Sequence, residues 1–355
     1  MTAAGYTVER GTPASRLGAL ASAVLLAVLL ALPFWGSSSD MRLLVEFLSM
    51  LTLAQMWNLL AGYGGLVSVG QQAYVGLGGY ALNVLADFLG VNPFLSVFLA
   101  GLVTAAVALP TAAVVFRFQG GYFAVGTWVV AEVYYLLVAN SSSLGGGLGR
   151  SLQAIRSIPR TERERLTYWI ALAVGVGAVA LVYGLLRSRR GLALTAIRDS
   201  ARASESLGIN VFRSTLVVYL VTAFGCGVAG ALIYLNLLRI LPTAAFSVNW
   251  TASMIFVVVI GGIGTIEGPI VGTTLFFVLR EFLADYGAWY LIVLGAVAIV
   301  VMVWAPQGLW GLVAARFDLR FFPVQRRIRF VDEAATAAAA RSGGGPGAPS
   351  GSRAR

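Results

Sequence analysis

Long apolar runs alternate with short polar breaks along this chain. Ten runs, at 17–35, 41–61, 70–89, 94–116, 121–139, 167–186, 214–235, 249–262, 269–284 and 288–304, are apolar or nearly so. About twenty such residues wound as a helix cross the hydrocarbon core of a bilayer, where backbone amides and carbonyls must be satisfied within the protein. The pattern predicts an all-α, polytopic transmembrane helical bundle of about ten spans, filling residues 17–312. The first run follows Arg10 and Arg16 and exceeds the roughly 7–15 residues of a signal-peptide core, so it is expected to be a retained span.

Arginines orient the pattern. Segments 187–213 and 316–329 are rich in them, and positive charge beside spans is held on the cytoplasmic side. Four spans separate these segments, an even number, so the two assignments agree. Counting back from 187 through six spans places segment 1–16 inside as well, and both termini are expected to be cytoplasmic. Segment 313–355 then forms a cytoplasmic basic stretch and a tail. From Val331 the tail passes through an alanine run into a Ser, Gly and Pro sequence with nothing to bury, and disorder is expected there. Loop 140–166 runs against the scheme: it falls outside yet holds Arg150, Arg156, Arg160, Arg163 and Arg165, offset in part by Glu162 and Glu164.

Composition narrows the chemistry. The chain is 58% hydrophobic and 11% charged, against roughly 25% charged residues in soluble domains. It has no histidine, and all 25 of its basic residues are arginine. Without lysine it cannot build the phosphate-cradling G-x-x-x-x-G-K-[ST] loop, and without histidine it lacks the commonest general base and metal ligand. The net charge of +10 gathers beside spans and in the tail, unlike a nucleic-acid-binding face. Cys226 is the single cysteine and lies in an apolar run, which excludes an intrachain disulfide and reads as a small buried apolar residue. No catalytic constellation, metal site or cofactor is expected, and the chain does not read as an enzyme.

Two glycine-rich breaks interrupt apolar stretches. One contains Gly62, Gly64, Gly65, Ser68 and Gly70 and runs into Gln71 and Gln72; the other contains Gly261, Gly262, Gly264, Gly268 and Gly272. Such breaks let helices approach closely or turn back, and in transporters they often border the translocation path; a tight turn between helices is the plain alternative. Polar side chains inside spans are costly unless they face a partner or a watery cavity. Asn58, Ser68, Gln71, Gln72, Thr127 and Glu132 are therefore the substrate-path candidates, with Glu132 the most deeply placed carboxylate along the chain. Glu46, Asn83 and Asp87 are further in-span polar residues. Arg280 and Glu281 are adjacent and point about 100° apart on a helix, so they do not make an internal pair. Each polar residue can also be a simple helix–helix hydrogen bond. In segment 187–213, small residues and leucines from Ala193 to Leu207 suit a short surface helix ended by Gly208 and able to dock in a groove on a soluble partner; a solvated basic loop is the plain alternative.

From about Met56 to Leu312 the chain resembles the permease subunits of branched-chain amino-acid ABC importers, of the LivM type. Asn58-Leu-Leu-Ala-Gly-Tyr-Gly-Gly-Leu-Val-Ser-Val-Gly70 is similar to the family's opening motif, and Gly121-Tyr-Phe-Ala-Val-Gly-Thr127 to its second. Gly145-Gly-Gly resembles the turn of its external loop, Ala196-Ile-Arg-Asp through Asn210 its coupling segment, Gly261-Gly-Ile-Gly-Thr with Gly268-Pro its late glycine motif, and Pro306-Gln-Gly-Leu309 its closing turn. The resemblance implies a non-enzymatic permease in a bacterial inner membrane, working with a second homologous permease, two ATP-hydrolysing subunits and an extracytoplasmic substrate-binding protein. It implies that Arg198, Asp199, Arg202, Ala203, Ser204, Glu205, Leu207, Gly208 and Asn210 seat on an ATPase. The chain departs from the family at Arg202, where the Glu-Ala-Ala loop of importers begins with an acid. An importer of urea or short amides looks alike. An ion-coupled secondary transporter would need midplane carboxylates, for which Glu132 is the sole candidate.

Overall fold

A computed structural model describes residues 6–9, 13–283, 289–317, 321–322 and 327–330. The expected disordered tail from Val331 onward lies outside the described residues. Fourteen helices are described: α1 Pro13–Ala31, α2 Ser38–Asn58, α3 Gln72–Asn83, α4 Pro93–Val115, α5 Gly121–Ala139, α6 Arg160–Arg187, α7 Arg189–Asp199, α8 Ala201–Ser206, α9 Val211–Leu237, α10 Pro242–Ala245, α11 Asn249–Gly261, α12 Glu267–Leu283, α13 Trp289–Trp304 and α14 Gly308–Phe317. Two small antiparallel ladders accompany them. β1 (Tyr6–Glu9) pairs with β4 (Arg327–Phe330), joining the two ends of the chain, and β2 (Arg150–Ser151) pairs with β3 (Arg239–Ile240).

Every predicted apolar run is helical, but the runs are not equal. Among the described residues seven helical stretches are long and apolar enough to cross a membrane, in keeping with an all-α polytopic membrane protein. The other three runs are shorter. The apolar stretch of the first is Ser22–Phe34. α3 begins only after the first glycine break and has 12 residues before a five-residue π-turn, Val84–Phe88. α12 begins only after the second break and has 17 residues. The breaks take up chain that would otherwise lengthen these helices.

α2 and α9 form the interior. In the apolar stretch of α2 78% of residues are buried, and 72% in that of α9, since apolar residues lie on every side of both helices and the buried polar ones, such as Gln55 and Asn58, have partners. α2 starts at a capping box in which the Asp40 amide donates to Ser37 Oγ at 3.2 Å and the Ser37 amide to Asp40 Oδ2 at 3.0 Å. The glycines of α9 let three helices approach at once. A Cβ on Gly225 would meet the Met56 side chain of α2, one on Gly227 the Thr104 hydroxyl of α4, and one on Gly230 the Val75 carbonyl of α3. Cys226, between them, is fully buried and its thiol donates to Gln71 Oε1 at 3.4 Å, as a structural cysteine would.

Loop 140–159 is held on the bundle by the β2–β3 ladder and by the Asp87 carboxylate. Asp87 Oδ1 accepts from the backbone amides of Gln153 and Ala154 at 3.0 and 2.8 Å, and Asp87 Oδ2 lies 3.7 Å from Arg150 Nε. Farther along, Arg160 Nε donates to Glu164 at 2.9 Å. Two of the five arginines that made 140–166 anomalous thus have acidic partners within the protein.

Gly230→Val is expected to destabilise the bundle by about 1–3 kcal/mol, because the new atoms meet backbone and not a movable side chain. Gly184→Ala in α6, whose Cβ would meet nothing within 4 Å, is expected to be neutral or to stabilise by up to about 1 kcal/mol. Thermal unfolding in detergent checks both.

Candidate functional site

α2 does not end cleanly at the first break. It widens into a π-turn, Leu59–Tyr63, and Gly65 then takes φ +71°, a left-handed conformation that favours glycine. From there to Gln72 the chain is irregular, and its polar groups find partners on the surrounding helices. Trp57 Nε1 donates to the Ser68 carbonyl at 2.9 Å, folding the break back onto α2. The Gly70 amide donates to Ser68 Oγ at 3.2 Å and the Val69 amide to Thr127 Oγ1 of α5 at 3.2 Å. The Gln72 amide donates to Thr251 Oγ1 of α11 at 3.1 Å, and the two side chains bond to each other through Thr251 Oγ1 and Gln72 Oε1. A Cβ on Gly70 would collide with the Thr127 carbonyl, so α5 packs directly on the broken backbone.

The second break lies against the first. Asn58 Nδ2 donates to the Thr265 carbonyl at 2.7 Å, while Asn58 Oδ1 accepts from the Gly264 amide at 2.9 Å. One turn earlier, Gln55 Nε2 donates to the Ile266 carbonyl at 2.8 Å. Within the second break, Thr265 Oγ1 donates to the Gly262 carbonyl at 2.8 Å and accepts from the Gly268 amide at 3.0 Å, closing the turn into α12. Gly262 at φ +131° and Gly264 at φ +75° need glycine. Glu267 Oε1 accepts from the Phe321 and Phe322 amides at 3.1 and 2.9 Å, fastening the segment after α14 to the same place.

Arg198, near the end of α7, reaches this junction from the arginine-flanked segment. Its Nη1 donates to the Gly62 carbonyl at 3.0 Å, a carbonyl that the widened turn leaves available. Its stem covers Gly65, where a Cβ would lie 3.2 Å from Arg198 Cγ, and its Nη1 would lie 3.6 Å from a Cβ on Gly264. The guanidinium is therefore bonded to the first break and lies beside the second. α7 is seated by Gly191, Leu194 and Ile197, which are buried on one face, while Leu192 is exposed.

The sequence candidates divide sharply. Asn58, Ser68, Gln71, Gln72 and Thr127 are all buried and gather around the first break. Glu132 does not join them. It lies on the exposed face of α5 near Trp128, Val129 and Leu136, and is without an ion-pair or hydrogen-bond partner among the described residues. Position along the chain gives Glu132 its depth in the span but not the face it occupies, and the polar cluster at the first break forms without it. Glu267 and Asp87, which are partnered, are the enclosed acids instead.

The single helix expected from Ala193 to Leu207 is two helices, α7 and α8. Ser200 is extended at φ −160°, ψ 106°, and caps α8 by accepting from the Ala203 amide at 3.3 Å. Serine at that position competes with helical continuation through its own side chain. Gly208 does end the segment: at φ +81° it lets its own amide reach the Glu205 carbonyl at 2.9 Å and the Ile209 amide reach the Ser204 carbonyl at 3.0 Å, a Schellman pair. Ser204 is buried, and Asn210 accepts from the Arg213 amide at 2.9 Å to start α9. Arg202, Ala203, Glu205 and Leu207 are exposed, and Asp199 lies 3.2 Å from Arg198 Nη2. Arg280 pairs neither with Glu281 nor within its own helix but with Glu46 of α2, at 2.9 Å.

Sequence reasoning missed Gln55, Thr251, Thr265 and Glu267. All four are polar residues flanking or facing a glycine break, the signal that could have marked them.

Asn58→Ala is expected to leave a buried amide and a buried carbonyl unpaired, a loss of roughly 1–3 kcal/mol for each. Asn58→Asp keeps the acceptor for Gly264 but buries a carboxylate oxygen against the Thr265 carbonyl, and is expected to destabilise at least as much as Asn58→Ala. Thermal unfolding in detergent orders the three.

The chain is similar in sequence to known proteins. A family model described as branched-chain amino acid transport system / permease component matches residues 41–302, which include both breaks, α7 and α8. The high-affinity branched-chain amino acid transport system permease proteins LivM of Salmonella typhimurium and Escherichia coli are each 26% identical to this chain, over 83% of it and 76% of their own length. A probable branched-chain amino acid transport permease protein LivM of Methanocaldococcus jannaschii is 23% identical over 63% of this chain and 69% of its own. No solved structure matches the chain. The family match spans most of the sequence and both glycine breaks, and the chain belongs to the branched-chain amino acid transport system permease family, as a member of the LivM type.

Proposed function

We propose that this chain is the membrane-spanning permease subunit of an ABC importer for branched-chain amino acids, in a bacterial inner membrane with both termini cytoplasmic. The names of its relatives supply the substrate class. The observation that carries the mechanism is the Arg198 bond to the Gly62 carbonyl. Segment 187–213 is the cytoplasmic surface that seats on an ATPase, and Leu192, Leu207 and Phe212, 74%, 78% and 55% exposed, offer it apolar contacts. The chain has no lysine for a phosphate loop of its own, so ATP hydrolysis belongs to two partner subunits. Movement of α7 pulls on the carbonyl of Gly62 and, through Asn58, on the second break. The two breaks thereby act as the hinge of a rigid-body rocking between outward and inward states.

Glu132 gives the path a wall. A carboxylate among exposed apolar side chains in mid-span is costly against lipid, and only 22% of the apolar window of α5 is buried. The outward face of α5 therefore turns to the second permease and the aqueous path between the two, with an external binding protein delivering substrate.

Co-reconstitution of the chain with a second permease, two ATPase subunits and a binding protein is expected to give ATP-dependent uptake of labelled leucine. Uptake that persists without the ATPases and collapses with an ion gradient overturns the reading, and preference for urea reassigns the substrate. Arg198→Ala is expected to keep the ATPases bound while lowering uptake per ATP hydrolysed by roughly 5–150-fold, the range of an allosteric coupling energy. Glu132→Leu is expected to lower uptake or pairing with the second permease, and a variant matching the unaltered protein in both removes α5 from the path.

A further inference from the structure

Three of the five arginines of segment 140–166 have no acidic partner, and the helix they introduce shows where they stand. α6 begins at Arg160 and runs for 28 residues, about 42 Å of helix, against a hydrocarbon core of about 30 Å. Its apolar part starts at Leu166, so Arg160 to Arg165 stand outside that core, in the layer of phospholipid headgroups. α6 ends at Arg187 beside α7, which places its first turns at the end of the bundle opposite Arg198.

Most acids at that end are already partnered. Glu164, its side chain 9% exposed, accepts from Arg160 Nε at 2.9 Å, and Ser38 and Arg42 at the start of α2 lie within reach of the same carboxylate. Asp87 is held by the amides of Gln153 and Ala154 and by Arg150. Arg156, Arg163 and Arg165 make no ion pair or hydrogen bond among the described residues, and Glu162 is the exposed acid left beside them. Three guanidinium groups against one carboxylate leave a positive surface. Unpartnered positive charge is expected at one end of a transmembrane bundle, where it sets orientation, so its presence at both calls for an anionic partner here.

The face these residues share identifies the partner. Arg165, Trp169 and Val176 follow one another at helical spacing along the exposed side of α6, of whose apolar stretch only 33% is buried. Beside Trp169, Tyr168 donates to the Leu29 carbonyl of α1 at 2.6 Å, and α1 leads into Phe34 and Trp35, 82% and 69% exposed. Arginines above, aromatic rings at the interface and aliphatic side chains below match a phospholipid from phosphate to acyl chain. A soluble acidic partner would meet the arginines and leave Trp169 and Val176 uncovered.

We propose that Arg156, Arg163 and Arg165, with the face of α6 below them, form a docking surface for an anionic phospholipid. Its phosphate meets the guanidinium groups, whose planar forks match phosphate oxygens, and an acyl chain lies along Trp169 and Val176. The surface depends neither on which solute is carried nor on how an ATPase is seated.

Trp169 reports on the test. The full-length chain is placed in phosphatidylcholine nanodiscs containing rising fractions of brominated phosphatidylglycerol or brominated phosphatidylcholine, whose bromines quench an indole they touch. Comparison with Trp169→Phe isolates this residue among the chain's eight tryptophans. Phosphatidylglycerol is expected to quench Trp169 at lower fractions than phosphatidylcholine. Arg163→Gln with Arg165→Gln is expected to lower that preference about fivefold for each arginine, the effect of one basic residue at an anionic membrane surface. Salt at about 0.5 M is expected to lower it as well, whereas Arg316→Gln, at the Arg198 end, leaves it unchanged. Equal quenching by the two lipids in the unaltered protein overturns the proposal, as does a preference that survives the double substitution. An unchanged lipid preference combined with loss of binding-protein-dependent uptake assigns the arginines to a soluble acidic partner and equally overturns it. The double variant is read only if its thermal unfolding in detergent matches the unaltered protein; otherwise the lipid comparison and the salt dependence of the unaltered protein decide.

Discussion

Irregular backbone inside a bilayer must find its hydrogen bonds within the protein, and here one carboxamide beside the first break supplies two of them to the second. Asn58 projects from the last turn of α2, beside the first break, and offers its donor to Thr265 and its acceptor to Gly264 in the second. A carboxamide stays neutral while it donates from one atom and accepts at another. Leucine fills similar space and satisfies neither partner. The constraint propagates outward. Because the second break is fixed against α2, α12 starts where it does, and Glu267, in its first turn, can hold the segment after α14.

Glycine makes the junction possible by absence. A Cβ on Gly62 would meet Asn58 Oδ1 and the backbone of Gly264, and one on Gly261 would meet the Gly268 carbonyl. The same logic runs through α9, where Gly225, Gly227 and Gly230 admit α2, α4 and α3. In a membrane, where lipid solvates an apolar surface as well as a neighbouring helix does, close packing and internal hydrogen bonds replace the hydrophobic effect as the force between helices. α9 owes its burial to these small residues. α5 and the stretch Ile292–Arg316, only 22% and 17% buried in their apolar windows, carry large side chains outward.

The polar residues inside spans fall into two groups with different physics. Asn58, Gln72, Thr127 and Thr251 are consumed by the junction, each meeting a backbone group or another side chain. Glu132 and the Glu46–Arg280 pair are partly or wholly exposed. The first group builds the bundle. The second is where contacts beyond this chain are to be sought.

The all-α class, the helical nature of each apolar run, the positions of both breaks and the ending of the 187–213 segment at Gly208 were legible in the sequence, because they rest on local causes: apolar run length, the conformational freedom of glycine, and capping. The split of that segment at Ser200 was also local, but a serine between two helix-favouring stretches reads either way until its side chain is seen to cap α8. That Asn58 joins the two breaks, that Arg198 bonds to one and lies beside the other, that Arg280 pairs with Glu46, and that Glu132 faces out depended on which faces of distant helices meet. Residues such as Asn58 and Thr265, more than two hundred positions apart, carry no mark of each other in one chain. Local chemistry decided which segments would be helices and where they would break, while only close packing through the glycines decided which breaks would touch.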